Sequence, residues 1–247
     1  MPMPGHAEIA IAIASAFFLV VAAIAFFIAA KRRAAIDAAL RGGQSATRLG
    51  MFDLAHRDAV NRSAGKYLAI PERLWTYDNF YLEEFARAAR QTRLPDGRRA
   101  IDAYIGTTMS SDIVFAAAMG LFVALFEFDV ATMLLPRCPA LSGAVMFLAC
   151  MGAVYGAADI AEDLKLISIL KDWRTAASGD PEGHLRIDGG EAAAANALTR
   201  IKFVTISLSI LGGAVFVVFF LIAAAIWRQP RNPVPSSPPE NPVPTAG

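Results

Sequence analysis

Long uninterrupted apolar runs dominate this chain, in place of the alternation of a half-buried strand or the striping of a soluble amphipathic helix. Four windows approach or exceed the roughly 20 residues a helix needs to cross the hydrocarbon core of a bilayer. They are Ile9 to Ala30, Thr107 to Phe126, Ala140 to Ile160 and Phe203 to Trp227. The first and fourth carry no charge, whereas Asp112 lies inside the second and Glu127 and Asp129 close it. The pattern predicts an all-α polytopic membrane protein of four transmembrane helices, with a helical cytoplasmic segment between the first two. Residues 1–40 form an N-terminal anchor, 41–106 the helical segment, and 107–227 a three-helix membrane unit with a cytoplasmic loop at 171–190.

Between the runs, the polar stretches carry their own signals. Gly42 and Gly43 are placed to end the inward extension of the first helix. In the stretch from Thr76 to Gly97, Asp78 offers an N-cap, Glu83 and Glu84 follow it, Arg87, Arg90 and Arg93 come late, and Pro95 to Gly97 supply a stop. Phe80, Leu82, Phe85 and Ala89 form its expected apolar face. Such a helix packs under the membrane bundle or lies on anionic lipid through its arginines. The proline- and serine-rich tail 228–247 cannot bury a core and is expected to stay extended and disordered.

Composition agrees with lipid as the solvent: 55% of the 247 residues are hydrophobic and 18% charged, and mean hydropathy is +0.44. A formal net charge of +1 gives no bulk affinity for nucleic acid. Cys138 and Cys150 stand roughly 18 Å apart on a continuous helix, too far for a disulfide. His6, His56 and His184 are scattered without ligand-like spacing, and zinc, haem, phosphate-loop and nucleophile-elbow motifs are absent. No cofactor or metal is expected on motif grounds. The partners expected are the lipid bilayer and another membrane protein or a second copy of the chain.

Charge also orients the chain. Lys31, Arg32 and Arg33 follow the first run at once, which holds that flank in the cytoplasm and the short N-terminus outside. Four spans then place segments 31–106 and 161–202 inside the inner (plasma) membrane and the C-terminus outside. Lysine and arginine number fourteen and six in the inner segments against three outside.

The ionisable residues near the spans share a design. Positions three or four apart share a helix face. Gly152 and Gly156 therefore lead to Asp159 or Asp163 in the third span, Asp112 leads to Ala116, Gly120 and Ala124 in the second, and Lys202 leads to Thr205, Ser209 and Gly213 in the fourth. Small residues let helices approach closely in lipid. By topology the ionisable ends fall at one level, the cytoplasmic boundary, where an unpaired charge is costly. Lys202 is expected to pair with Asp112, Asp159 or Glu162, with the other carboxylates facing cytoplasmic water.

At these residues the chain resembles a group of uncharacterised bacterial four-span inner-membrane proteins, in which an Asp opens the second span, the third closes on D-x-x-E-N and a Lys precedes the fourth. Here SSDIVFAAAMG, DIAED and TRIKF match, Asp163 standing where Asn is usual, over roughly Tyr77 to Ile226. The resemblance implies the span assignment and the cluster, and no activity. Three functions fit the sequence: a non-catalytic scaffold or partner-binding component, an oligomeric proton- or ion-coupled carrier, and a lipid-modifying enzyme holding Mg²⁺ on Asp112 with the third span's carboxylates.

Overall fold

The computed structural model describes residues 6–40, 70–71, 74–136, 138–175 and 185–227, and their side chains from Ile9 to Gly213. The expected helix stop at Gly42 and Gly43, residues 176–184 of the loop at 171–190, the histidines His56 and His184, and the tail 228–247 lie outside the described residues. The chain divides into two compact units at Gly213. The described part of the second is the helical stretch 214–227.

All regular elements among the described residues are helical. They are α1 (His6–Leu40), α2 (Asn79–Gln91), α3 (Ala100–Ala103), a π-helical turn (Tyr104–Thr108), α4 (Met109–Leu134), α5 (Pro139–Thr175) and α6 (Gly189–Trp227). Four helical stretches are long and apolar enough to cross a membrane: Ile9–Leu40, Ala100–Leu134, Pro139–Thr175 and Gly189–Gly213. Burial is inverted relative to a soluble protein. Phe17, Phe27 and Leu211 are 60%, 71% and 65% exposed, whereas Asp112, Asp159, Glu162, Asp163, Lys202 and Ser209 are buried. That distribution suits helices whose outer solvent is hydrocarbon and whose polar groups must be satisfied from within.

Close backbone approach joins α4 to α5. A methyl group built on Gly120 would stand 2.9 Å from the Gly156 Cα, and one on Gly156 would stand 3.0 Å from the Ala116 carbonyl oxygen. Gly152 is closed in the same way by Val123 and the Ala124 nitrogen. The short turn between these helices is tied by Ser142 Oγ, which donates to the Ala131 carbonyl at 2.8 Å. On α6, Ser209 Oγ donates to the Leu148 carbonyl at 3.2 Å. The tight approach there falls at Gly212, against the Leu148 side chain, and not at Gly213, which faces the Glu127 carboxyl.

The largest apolar core sits beyond the ionisable level and not between the spans. Ile36 of α1, Leu166, Leu170 and Trp173 of α5, and Ala192 and Ala195 of α6 close around Ile70, Leu74, Leu82, Phe85 and Tyr104. Segment 70–105 is too short to build such a core alone; the helix extensions supply the other half. Within it, α2 is capped as its sequence predicts, Asp78 accepting from the Tyr81 amide at 2.8 Å. The helix stops earlier than Pro95, at Gln91, because the chain turns into a bridge between Arg93 and Arg99. Gly97 allows that turn with a φ of 81°. Phe80 is exposed, and Tyr81 and Ala86 take its place on the buried face beside Leu82, Phe85 and Ala89.

The π-helical turn is what lets one face run on from the core into the membrane. A residue spacing of four drifts around a regular helix of 3.6 residues per turn. The wider turn, bonded i to i+5, absorbs part of that drift, so that Tyr104, Thr108, Asp112, Ala116 and Gly120 are all buried.

Candidate functional site

A buried ion network lies where the four membrane-length helices enter this core. Lys202 of α6 is its centre, with Nζ donating to Asp159 Oδ1 at 2.8 Å and lying 2.5 Å from Glu162 Oε2. The second contact is ionic and not an aligned hydrogen bond. Glu162 Oε1 accepts from Thr199 Oγ1 at 2.5 Å and from the Tyr77 hydroxyl at 3.3 Å. Thr199 Oγ1 also lies 3.1 Å from the Tyr77 oxygen. Asp159 Oδ2 accepts from the Tyr155 hydroxyl, one turn back on its own helix, at 3.1 Å. Asp112 is held from the other side by Arg33 of α1. Its neighbour Arg32 donates to the Thr107 carbonyl and to Ser111 Oγ, each at 2.6 Å.

Local sequence explains much of this placement. Tyr155 precedes Asp159 by four positions, so its hydroxyl shares a face with the carboxylate it serves, and Thr199, three positions before Lys202, stands on the same face of α6 and reaches across to Glu162. The buried arc of α5 holds Tyr155, Gly156, Asp159, Glu162, Asp163 and Leu166.

Of the three partners expected for Lys202, the structure gives Asp159 and Glu162, and one further expectation is corrected. Asp112 pairs with Arg33 and not with Lys202, because α1 packs along α4 and brings the end of its basic triplet alongside. No carboxylate of Asp159, Glu162 or Asp163 faces solvent: their exposures are 3%, 0% and 0%. Tyr77, in the segment before α2, closes over Glu162. One oxygen each of Asp112, Asp159 and Asp163 lies within 4.8 Å of the others, a spacing open to a metal ion. Protein cations engage Asp112 and Asp159 there, through Arg33 and Lys202.

Surface pairs surround the network. Lys165 meets Glu191 at 2.6 Å, and Asp102 is bound by Arg99 at 2.8 Å and Arg174 at 3.4 Å. In the turn after α2, Arg98 donates to Asp96 and holds its carboxyl below the usual carboxylate range.

Arg33, Tyr77, Tyr155, Thr199 and the buried Glu127 are the polar partners that sequence reasoning missed. Same-face spacing was the available signal for Tyr155 and Thr199. Arg33 and Tyr77 reach partners 79 and 85 positions away, and spacing carries no signal over such distances. Cys138 and Cys150 are free and exposed. No family model, no curated protein and no solved structure matches the chain.

Proposed function

We propose that this chain is a non-catalytic multi-pass membrane protein, a scaffold or partner-binding component, whose buried ion network clamps its helices in one register. The reading carries with it residence in the inner (plasma) membrane, with both termini outside and segments 31–106 and 161–202 cytoplasmic. One observation supports it above others: both cations of the network bridge between helices. Lys202 joins α6 to α5 through Asp159 and Glu162, and Arg33 joins α1 to α4 through Asp112. Tyr77 extends the same network into the segment outside the span. A site that cycles ions would gain from a wet approach, whereas a clamp is best packed, and each of these network residues but Arg33 is less than a tenth exposed.

The test is thermal stability in detergent. Lys202→Met leaves two buried carboxylates without their cation, and breaking such a pair costs about 3–5 kcal/mol, so the unfolding midpoint falls sharply. Asp159→Asn falls less, because the amide still occupies the site. Exchanging the two charges, Asp159→Lys with Lys202→Asp, recovers much of the loss. Full stability in both single variants overturns the clamp. A midpoint that rises with Mg²⁺ or Mn²⁺ in the parent protein and stops doing so in Asp112→Ala replaces it with a metal site. Proton or ion flux in proteoliposomes under an imposed gradient replaces it with a carrier.

A further inference from the structure

Fifteen residues along α4 from Asp112, about 22 Å at 1.5 Å per residue, a second carboxyl is buried in the apolar part of the span. Glu127 is 6% exposed, and among the described residues its Oε2 has no hydrogen-bond partner. Its Oε1 lies 3.8 Å from the point a Cβ on Gly213 would occupy. The missing side chain on α6 leaves room for the carboxyl.

Ionisable groups on the packed elements are few at this level. Asp129 stands two positions on along α4, and Cys150 on α5 is exposed. Ile9 to Ala30 of α1, Pro139 to Leu148 of α5 and Phe203 to Gly213 of α6 hold no charged residue. A bare carboxylate in such surroundings is costly, and a bound proton removes its charge.

One face of α6 runs from the ion network to this carboxyl. Lys202, Thr205 and Ser209 are buried at steps of three and four, and the next step is Gly213. Thr205 Oγ1 donates to the Ile201 carbonyl at 2.8 Å and to the Lys202 carbonyl at 3.1 Å. Ser209 donates across to α5. Both hydroxyl oxygens keep lone pairs as acceptors, and four positions at 1.5 Å per residue set them about 6 Å apart along the axis, a gap that one bridging water spans.

We propose that Glu127 is a proton-binding site inside the membrane, exchanging its proton with the ion-network end of the bundle along the hydroxyl face of α6. In the forward step a proton from water bonds to a Glu127 carboxylate oxygen and cancels its charge. In the reverse step it returns to water, and nothing is oxidised or reduced. This site is separate from the ion network and stands whether or not that network is only a clamp.

Infrared spectroscopy of the full chain in lipid nanodiscs tests it. The parent protein is expected to show the carbonyl stretch of a protonated carboxylic acid, shifting on transfer from H₂O to D₂O. Glu127→Gln loses that band, and Glu127→Asp keeps one at a moved frequency, with a monodisperse elution profile showing that both fold. Thr205→Val with Ser209→Ala slows the deuterium shift severalfold. Absence of the band from the parent, or its persistence in Glu127→Gln, overturns the proton site. An exchange rate unchanged in the Thr205 and Ser209 variant overturns the path.

Discussion

Single side chains in this protein are governed by where they stand relative to water. Asp96 and Arg98 lie side by side in the turn after α2 at 48% and 53% exposure, with Nη2 to Oδ2 at 2.6 Å. The Arg98 hydrogen bond lowers the Asp96 pKa. A depressed carboxyl contributes stability above its unfolded pKa and loses it as pH falls through the folded value. The pair is therefore intact at neutral pH and released as pH falls below the usual carboxylate range. Solvent screening keeps its effect on folding small. An NMR titration of Asp96 should find its transition below the usual carboxylate range and see it move up in Arg98→Ala, with little change in unfolding midpoint. Lys202 and Glu162 make the opposite case. At 7% and 0% exposure their contacts are unscreened, and removing one partner strands the other.

At the scale of elements, the α4–α5 pair depends on the absence of side chains. Gly120, Gly152 and Gly156 bring the two backbones close enough that any Cβ meets backbone atoms or the Val123 side chain. In lipid the association of helices rests on such packing, since hydrocarbon offers no hydrophobic drive between them. Gly120→Ala forces the helices apart, and overpacking of this kind costs about 1–3 kcal/mol. Its detergent unfolding midpoint should drop clearly. Gly143→Ala on the same helix pair meets nothing within 4 Å and should leave the midpoint unchanged. Equal behaviour of the two variants would show that the crossing does not limit stability. The ion network gains from the same crossing, because Asp159 and Asp163 continue the stripe that Gly152 and Gly156 begin.

At the largest scale, the described residues of the first unit have two unlike ends. One carries the apolar core of segment 70–105, the helix extensions and the ion network; the other carries the short turn between α4 and α5, near Cys138. The proposed orientation puts the first in the cytoplasm. With Cys150→Ser in place, a membrane-impermeant maleimide applied to right-side-out vesicles should label Cys138. A cysteine at the exposed Glu84 on α2 should react only after lysis. The reverse labelling would invert the orientation while leaving the network's geometry as it is.

Run length and same-face spacing were enough to determine a great deal. Four membrane-length helices, the Asp78 cap, the small-residue stripes and the grouping of Asp112, Asp159, Glu162, Asp163 and Lys202 at one level all follow from the chain's own periodicity. These features are local, or they depend only on where apolar runs start and stop, and a bilayer converts such runs directly into position. Which cation meets which carboxylate was decided by tertiary structure alone. Lys202 had three candidate partners within reach of its level, and Arg33 had none visible from spacing, until the packing of α1 against α4 gave it Asp112. The covering of Glu162 likewise came from Tyr77, which reaches it from the segment before α2. Glu127 stood in the sequence only as a residue closing a span. Its seclusion against Gly213 comes from the rotation of α4 about its axis, a property that neighbouring helices set and that one helix's sequence does not contain.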